Sequence, residues 1–384
     1  MFMAEAYIVA AARTAGGRRG GRLAGWHPAD LGGEVVNAVL DRTGVDPTAI
    51  EEVIFGCVSQ AGEQSFAVGR NVVLASKLPQ SVPAVTIDRQ CGSSQQAINF
   101  AAQAVMSGVQ DMVLAGGVES MTRVPMGSNW TLHAKAGIGI GPFSERIQRR
   151  FGVAEFSQFV GAQMIADKYG FSREEMDQFA LESHQKAAAA TQNGAFKQEI
   201  VPIEGHEQDE GIRFDASLAG IGSVKLLQEG GSLSAANASQ MCDGASAVLV
   251  VNERALKAHG LTPLARIHTM TVTAGDPVIM LEEPIPATAK VLKKAGLCLD
   301  DIDLFEVNEA FASVVLAWLK ETGADPAKLN VNGGAIALGH PLGATGAKLT
   351  ATLIHALKAR GKRYGLQTMC EGGGMANATI IEIV

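Results

Sequence analysis

The chain alternates between short apolar runs and longer segments whose apolar residues recur every three or four positions. The short runs are rich in Val, Ile and other strand formers, and they predict buried strands. The longer segments predict helices with one apolar face; one opens at His27-Pro28 and carries Leu31, Val35 and Val39 at helical spacing. Alternating strands and helices predict an α/β fold, in which helices cover a parallel or mixed sheet. We place strands near 6–10, 53–57, 84–87, 111–117, 247–251, 265–271, 304–307, 366–370 and 380–384, and further helices near 67–78, 172–194, 287–295, 311–322 and 347–359.

This rhythm is interrupted between residues 120 and 243, where prolines, glycines, aromatic residues and charged residues alternate. The interruption indicates an inserted, loop-rich domain, and such insertions often lie over an active site and donate binding groups. On either side, a strand, a helix and a strand that ends in glycines form a weak internal repeat. We therefore predict two duplicated βαβ-type halves, residues 1–119 plus 244–264 and residues 265–384, with the insertion at 120–243 between them.

Cys91 lies where a predicted strand gives way to a helix of small residues. A sulfur at a helix N-terminus meets free backbone N–H groups and the positive end of the helix dipole, which favour thiolate over thiol. Gly92, Ser93 and Ser94 leave room for a substrate to approach. The position alone leaves open both a nucleophilic cysteine and a buried structural one.

Composition and charge narrow the class of protein. The chain of 384 residues is too long for one ordinary core, and its net charge of −7 argues against generic binding of nucleic acid or anionic membranes. No apolar run reaches the roughly 18 residues of a membrane span. Five scattered cysteines form neither a disulfide framework nor a metal pattern, so we expect a reducing compartment, by default the cytoplasm. For the Arg- and Gly-rich segment 13–25 we favour a solvated connection over a phosphate-contacting loop.

Three motifs in the second half stand at the ends of predicted strands, where open α/β sheets place their sites. Asn308 is open to two interpretations, a helix cap and a functional amide. His340 has few apolar neighbours in its glycine-rich turn, which favours a working imidazole over a core histidine. Cys370 precedes glycines that would bring backbone N–H groups close to a ligand. The turn before Lys348 lacks the spacing of a Walker or a Rossmann loop. The motifs are Asn308-Glu309-Ala310-Phe311-Ala312, Gly339-His340-Pro341-Leu342-Gly343-Ala344-Thr345-Gly346 and Cys370-Glu371-Gly372-Gly373-Gly374.

Together with Asp88-Arg89-Gln90-Cys91-Gly92-Ser93-Ser94, these are the motifs of the thiolase family, which the chain resembles over essentially its whole length. Within the family it is most similar to bacterial degradative acetyl-CoA C-acyltransferases, including those that act on fatty or steroid side chains. The resemblance implies the five-layered α-β-α-β-α thiolase fold with an inserted loop domain that binds coenzyme A and takes part in oligomerisation. It also implies that a 3-ketoacyl-CoA and coenzyme A give acetyl-CoA and a shortened acyl-CoA, reversibly and without a metal or redox cofactor. A homodimer or homotetramer is implied as well, and a β-oxidation enzyme is a compatible partner.

The resemblance also implies a role for each motif residue. Cys91 matches the nucleophile that forms the acyl-enzyme. His340 matches the histidine that activates this thiol and helps to hold the thioester oxygen, while Asn308 matches the residue that fixes a water in the same oxyanion hole. Cys370 matches the second cysteine, which protonates the enolate in cleavage and deprotonates acetyl-CoA in condensation. Backbone N–H groups of Cys91 and Gly372 would form a second oxyanion hole, and a thiolate–imidazolium pair is expected in a dry pocket.

Contacts with coenzyme A are carried over by position in the sequence. Leu227 stands where short-chain biosynthetic thiolases carry an aromatic residue, and Ser157-Gln158 stands where they carry a His-Met pair. Both departures argue against an enzyme restricted to acetoacetyl-CoA. Arg213 and Lys225 are candidates for binding the 3′-phosphate, with a solvated surface as the alternative. The residues that match the lining of the pantetheine tunnel are Ala235, Ser239, Met280 and Phe311.

Three alternatives stay open from the sequence. A short-chain acetoacetyl-CoA thiolase would run the reaction in the biosynthetic direction. A ketoacyl synthase shares the fold but lacks a second catalytic cysteine, so Cys370 argues against it. A non-catalytic acyl-CoA-binding protein or a thiol-redox sensor belongs to another class, and the presence of all four polar motif residues disfavours pure binding.

Overall fold

The computed structural model describes residues 4–384 and shows the alternation of strands and helices that the sequence pattern predicts. The strands are β1 (Tyr7–Thr14), β2 (Gly17–Arg18), β3 (Glu52–Gly56), β4 (Ala84–Ile87), β5 (Met112–Ser120), β6 (Ile200–Val201), β7 (Cys242–Val251), β8 (Ala265–Ala274), β9 (Leu304–Val307), β10 (Tyr364–Glu371) and β11 (Met375–Ile383). The helices are α1 (Pro28–Thr43), α2 (Val68–Ala75), α3 (Ser93–Ser107), α4 (Ser128–Ala136), α5 (Glu145–Phe151), α6 (Gln158–Tyr169), α7 (Arg173–Gln192), α8 (Leu218–Gly222), α9 (Glu253–His259), α10 (Pro284–Ala295), α11 (Ala312–Thr322), α12 (Ala335–Leu338) and α13 (Thr345–Ala359).

The strands form two halves with the same pairing pattern. In the first half the order is β4-β3-β5-β7-β1, with two parallel pairs followed by two antiparallel pairs. In the second half a parallel bridge from Leu329 to Phe305 and the parallel pair β9–β10 are followed by the antiparallel pairs β10–β11 and β11–β8. A short antiparallel pairing of β1 with β8 joins the halves. The duplicated halves predicted from the glycine placement are therefore confirmed by the strand pairing.

Alternate residues of the strands face different helix layers. On β5, Met112 and Leu114 pack in the cluster that contains α1 and α2, whereas Val113 and Ala115 pack in the cluster that contains α3 and α13. The second cluster also takes residues from the strands of the second half, so α3 and α13 form the central layer. Helices α10 and α11, with α6 and α7 of the insertion, cover the outer face of the second half. The arrangement is the predicted five-layered one, and the starts of α3 and α13 lie at its centre.

The insertion between β5 and β7 contains α4 to α8 and the short strand β6, which pairs with β1. Its longest helix, α7, is the one that the sequence predicts most clearly. Ser172 caps the helix, since its hydroxyl accepts from the Glu175 N–H while the Glu175 carboxylate accepts from the Ser172 N–H. The apolar face of α7, including Met176 and Phe179, packs against the second half.

Several boundaries differ from the sequence predictions by a few residues. The helix predicted over 67–78 ends at Ala75, because Ser76 is extended and Pro79 follows shortly after. The helix predicted from residue 311 starts at Ala312. β8 continues to Ala274, and the last strand begins as early as Met375.

The interpretation of segment 13–25 as a solvated connection is wrong for its first five residues, 13–17, which are all buried. Arg13 belongs to β1, is fully buried, and donates to the carboxylates of Glu199 at 2.6 Å and Asp209 at 2.8 Å. A buried guanidinium needs such partners because an unpaired buried charge is costly. The other arginines of the segment, at 18, 19 and 22, are exposed.

None of the helices between residues 4 and 384 has both the length and the apolar character needed to cross a bilayer. Over the same range, no three His, Cys, Asp or Glu side chains are grouped in a way that could hold a metal ion. All five cysteines are free thiols, and only Cys298 is exposed.

Candidate active site

Cys91 occupies a tight turn between β4 and α3. Gln90 adopts a left-handed backbone conformation with a φ of 49°, and Gly92 is the N-cap of α3. The Cys91 side chain is 9% exposed and packs against Val58 and Leu342. The cysteine is therefore at a helix N-terminus, as the sequence predicts, but its surroundings are largely apolar.

The charge state of Cys91 differs from the sequence expectation. Burial raises the pKa of the Cys91 thiol to about 12, and the neighbouring Glu371 carboxyl contributes to the rise. Backbone hydrogen bonding lowers this pKa, but by less than burial raises it. The expected resting thiolate is therefore wrong. Cys91 is a thiol that must lose its proton to a base before it attacks a carbonyl carbon.

His340 lies in the turn between α12 and α13 with its imidazole buried. Thr345 Oγ1 donates to the Pro341 carbonyl at 2.9 Å, so it accepts in the hydrogen bond that it shares with His340 Nδ1 at 2.6 Å. The imidazole proton is thus on Nδ1, and Nε2 carries the lone pair that can accept a proton. This tautomer suits a base that receives a proton from a thiol.

Burial lowers the pKa of His340 to about 3, and the positive charge of Lys348 contributes to the decrease. The imidazole is therefore neutral over the whole range in which the protein is expected to work. With Cys91 protonated as well, the resting pair consists of a thiol and a neutral imidazole. The thiolate–imidazolium pair expected from the resemblance is wrong for the resting site, because both charged forms are disfavoured by burial.

Lys348 anchors the turn that carries His340. It is buried on α13, and its ammonium donates to the carbonyls of Leu338 at 2.6 Å and Gly339 at 3.1 Å, the two residues directly before His340. Asp209 lies 3.8 Å from the ammonium and also accepts two hydrogen bonds from Arg13. A buried ionic network therefore ties β1, the insertion and α13 together beneath the histidine.

Asn308 follows β9 and does not cap α11, which starts four residues later with Phe311 as its N-cap. Its Nδ2 donates a long hydrogen bond to His340 Nε2, at 3.4 Å. Its Oδ1 is buried and has no hydrogen-bond partner among the described residues. An open buried acceptor beside the imidazole fits the water that the resemblance implies at this position.

Cys370 lies near the end of β10, just before the glycine turn that leads into β11. It is fully buried, and burial together with the nearby Cys91 keeps the pKa of Cys370 well above its usual range. A Cβ atom at Gly372 would come within 2.8 Å of Gln90 Oε1, so the glycine turn lies directly against the loop of Cys91. The structure therefore brings Cys91, Cys370 and Gly372 together.

Two buried glutamates that hold the motifs in place escaped the sequence analysis. Glu119, at the end of β5, accepts from the backbone N–H groups of Val58 and Gly343, both at 2.9 Å, and so ties the His340 turn to the first half. Glu309, in the Asn308 motif, accepts from Ser183 of α7 at 2.6 Å. The sequence did contain a signal for both residues: each glutamate closely follows an apolar strand run, where a solvent-exposed carboxylate is not expected.

Three of the residues expected to line the coenzyme A tunnel converge. The Ser239 N–H donates to the Ala310 carbonyl at 2.9 Å, next to Phe311. Phe311 packs edge-on against Phe159 of α6, with ring centroids 5.7 Å apart. Met280 is buried in the same apolar cluster as Phe311.

The remaining coenzyme A candidates lie on the surface of the insertion. Ala235 is exposed, and Leu227 is 45% exposed in a turn closed by its own N–H to the Leu233 carbonyl. Arg213 and Lys225 are both exposed. Arg213 lines an open pocket of about 500 Å³, whereas Lys225 does not. The other residues around this pocket are Arg18, Glu210, Gly211, Ile212, Phe214, Asp215 and Gln240.

The pair Ser157-Gln158 lies close to the nucleophile. Ser157 is the N-cap of α6, and Gln158 Nε2 lies 3.7 Å from Met126 Sδ. Met126 packs against the apolar cluster that contains Cys91. The departure from the short-chain pattern is thus connected to the cluster of Cys91 through Met126.

Two family models together match nearly the whole chain. The thiolase N-terminal domain family model matches residues 6–254, and the thiolase C-terminal domain model matches residues 261–383. A crystal structure of the Bacillus anthracis acetyl-CoA acetyltransferase superposes with a TM-score of 0.91 at 37% sequence identity, covering 100% of this chain and 99% of that one.

Curated relatives match over nearly the full length. A steroid 3-ketoacyl-CoA thiolase of Mycobacterium tuberculosis is 55% identical over 386 residues, which cover 99% of this chain and 94% of the relative. A 3-ketoacyl-CoA thiolase of Cronobacter sakazakii is 42% identical over 398 residues, covering 100% of both chains. A 3-ketoacyl-CoA thiolase of Bacillus subtilis is 40% identical over 400 residues, covering 99% of this chain and 100% of the relative.

Proposed function

The chain belongs to the thiolase family, and from that premise we propose that it degrades 3-ketoacyl-CoA thioesters through a Cys91 acyl-enzyme. Coenzyme A is the second substrate, and the products are acetyl-CoA and an acyl-CoA shortened by the acetyl unit. The observation that carries the proposal is the proximity of the two buried thiols, Cys91 and Cys370, together with the packing of the turn of the neutral His340, through Leu342, in the cluster of Cys91. These are the groups that carbon–carbon cleavage next to a ketone requires.

The first step forms the acyl-enzyme. His340 Nε2 takes the proton of the Cys91 thiol as the sulfur attacks the ketone carbon, so the thiolate exists only during attack. The tetrahedral oxyanion is held by backbone N–H groups of Cys91 and Gly372. Collapse of this intermediate leaves the acyl group on Cys91 and expels the enolate of acetyl-CoA.

The enolate is then quenched by the second thiol. Its oxygen lies beside His340 and a water held by Asn308, and its carbon takes the proton of Cys370. Cys370, now a thiolate, removes the proton of the incoming coenzyme A thiol. The coenzyme A thiolate attacks the acyl group on Cys91, and Cys91 leaves and regains its proton from His340. Every proton that moves is thus supplied and recovered by Cys91, His340 and Cys370.

The degradative direction is supported by the curated relatives and by the acyl side of the site. The relatives that are 55% and 42% identical are named 3-ketoacyl-CoA thiolases, the first of them for steroid substrates. Ser157-Gln158 stands in place of the His-Met pair of short-chain biosynthetic thiolases, and Gln158 contacts Met126, which packs against the cluster of Cys91. We propose acyl chains longer than acetyl, including bulky side chains, as the substrate class. The alternative is a short-chain enzyme, in line with the structural neighbour named as an acetyl-CoA acetyltransferase.

A homodimer or homotetramer is part of the proposal. β4 forms an open edge of the first half, and each of its residues is partly exposed. Val85 on this strand and Leu74 on α2 are exposed apolar residues nearby in the chain. An unpaired edge with apolar flanks is a surface that a second strand can cover.

We propose that the insertion at 120–243 supplies the coenzyme A tunnel, because Phe159 of α6 packs against Phe311.

The proposal is tested by incubating the purified protein with coenzyme A and 3-ketoacyl-CoA substrates of increasing chain length. Acetyl-CoA and the shortened acyl-CoA are quantified by mass spectrometry, with Cys91→Ala as the matched inactive control. Equal amounts of the two products from substrates longer than acetoacetyl-CoA are expected. Turnover of acetoacetyl-CoA alone would support the short-chain alternative, and no turnover of any substrate would refute both.

The separate roles of the two cysteines are tested with radiolabelled acetyl-CoA. Cys370→Ala should take up the acetyl group covalently but should not exchange the methyl protons of acetyl-CoA with deuterated water, because the base that removes them is gone. Cys91→Ala should carry no covalent label. If only the Cys91 variant is acetylated, the two roles are reversed.

A further inference from the structure

Glu371 is an unusual residue in its setting. It stands between Cys370 and the glycine turn, and its side chain is completely buried. Neither carboxylate oxygen has a hydrogen-bond partner among the described residues. Burying an ionised carboxylate without partners costs a large desolvation free energy, so this carboxyl is expected to be neutral.

The carboxyl is directed at the loop of the nucleophile. A Cβ atom built on Gly92 would lie 2.0 Å from Glu371 Oε1, so the carboxyl fills the space directly beside the residue that follows Cys91. Asn377 of the adjacent strand donates its Nδ2 to the Gly92 carbonyl at 3.1 Å and fixes this contact. Cys370 and Glu371 are consecutive on β10, so their side chains point to opposite faces of the sheet.

The groups around this carboxyl do not stabilise its ionised form enough to offset the effect of burial. Burial is the largest cause and raises the pKa of Glu371 to about 8, and Asp88 adds to the rise, whereas Arg89 and the nearby backbone N–H of Asn377 lower the pKa by less. Glu371 also makes the largest charge contribution to the raised pKa of Cys91, and Asp88 and Glu119 raise this pKa as well. Of these acidic groups, Glu371 is thus the one with the largest effect on the nucleophile.

We propose that Glu371 is a positioning residue that acts through Cys91: its carboxyl is neutral in the working enzyme, and its ionisation opposes the formation of the Cys91 thiolate. This rests on the proposed function only in taking Cys91 as the nucleophile. The neutral carboxyl packs beside the start of α3 and leaves Cys91 able to ionise. Once the proton of Glu371 is lost to solvent, a negative charge stands next to the sulfur, and a second negative charge there is disfavoured. The nucleophile is therefore restrained at alkaline pH, where an ordinary thiol becomes more reactive.

The test measures the reactivity of Cys91 without using thiolysis. The full-length wild-type protein and Glu371→Gln are treated with iodoacetamide at about pH 6.5 and about pH 9, values on either side of the ionisation of Glu371. The rate of Cys91 alkylation is followed by peptide mass spectrometry. The exposed Cys298 in the same chain serves as an internal reference for reagent reactivity.

At the lower pH the wild type and the Gln variant should alkylate Cys91 at the same rate, because Glu371 is neutral in both. At the higher pH the Gln variant should be about tenfold faster, the effect of one nearby charge on a thiol pKa. Glu371→Met should show the same acceleration, since it removes the charge with a different shape. Glu306→Gln should show none, because Glu306 is an equally buried carboxyl on β9 that does not act on Cys91.

Superimposable profiles of wild type and Glu371→Gln would overturn the proposal. A similar acceleration at both pH values would also overturn it, because loosened packing, unlike a charge, does not depend on pH. Thiolysis by the wild type is assayed in parallel with the substrates named above. A protein without thiolysis refutes the proposed function, whereas the alkylation profiles alone decide the role of Glu371.

Discussion

The turn before α3 and the turn before α13 occupy equivalent places in the two halves, yet their electrostatic surroundings are opposite. The first turn carries Cys91 among carboxyl groups, and the largest charge effect on its thiol comes from Glu371. The second turn carries His340 above the ammonium of Lys348. In addition to burial, a carboxyl that ionises raises the pKa of the thiol, and the ammonium lowers the pKa of the imidazole. Both differences favour the neutral form of the residue that does the chemistry.

Burial is the main reason that the resting site holds no ion pair, and this opposition adds to it. A thiolate next to carboxyl groups and an imidazolium next to an ammonium would each be destabilised, in addition to the cost of burial. The charges are formed only when a carbonyl carbon is present to be attacked and the transition state can use them. A buried thiol that stays protonated until then is also less open to oxidation, since the thiolate is the reactive form.

The largest expected effect comes from removing the thiol from the first turn. Cys91→Ser should lower turnover of a 3-ketoacyl-CoA by at least about two orders of magnitude, because a serine hydroxyl is far less ionised than a thiol. Steady-state thiolysis measures this effect, with circular dichroism to check the fold. Turnover close to that of the wild type would show that the first turn does not supply the nucleophile.

Removing the charge from the second turn should have the next largest effect. Lys348→Met takes away two hydrogen bonds to the backbone before His340 and leaves Asp209 with one cation fewer. We expect the free energy of unfolding to fall by about 3 kcal/mol, a typical cost of breaking a buried ionic contact. Denaturant unfolding measures this loss. Lys348→Arg keeps the charge and N–H donors and should recover part of it.

The same variant should move the acid limb of the pH profile. Burial and Lys348 together lower the pKa of His340 to about 3, so the imidazole stays neutral and basic down to low pH. Loss of the ammonium makes protonation easier and raises this pKa. Activity of Lys348→Met should therefore be lost at a higher pH than activity of the wild type, as seen in kcat/KM against pH. An unchanged acid limb would mean that the opposition between the two turns is not electrostatic.

Much of this comparison could be predicted from sequence, but the sign of the charge effects could not. The glycine-rich motifs around Cys91 and His340 predicted the turns, their place at helix starts and their duplication, because these depend on local propensity and spacing. The neutral resting pair depends on side chains that arrive from elsewhere in the chain. Glu371 and Lys348 were visible within or near the motifs, but their burial is a tertiary property. The network of Arg13 escaped for the same reason, since its partners lie about 190 residues away.

A smaller effect is expected from the tautomer of the histidine. Thr345→Val removes the hydroxyl that accepts from His340 Nδ1 at 2.6 Å while keeping the shape of the side chain. Loss of one such hydrogen bond costs about 1 to 1.5 kcal/mol, which corresponds to roughly tenfold in kcat. KM should change little, because the threonine does not face the substrate in the proposed reaction. Thr345→Ser keeps the hydroxyl and should stay close to the wild type, and equal losses in both variants would point to packing instead.

The smallest effect concerns the length of the acyl chain, which should change contacts at the Cys91 turn and not at the His340 turn. Each methylene buried beside the Cys91 cluster contributes at most about 0.8 kcal/mol, so kcat/KM should rise by up to about fourfold per carbon before it levels off. Met126 packs against that cluster, and Gln158 contacts Met126. We therefore expect the Met126 side chain to limit the length of the acyl chain. Met126→Phe should therefore lower kcat/KM for longer chains by several-fold and leave acetoacetyl-CoA nearly unchanged. A uniform loss across all chain lengths would instead mean that Met126 supports the nucleophile itself, and that the acyl group lies elsewhere.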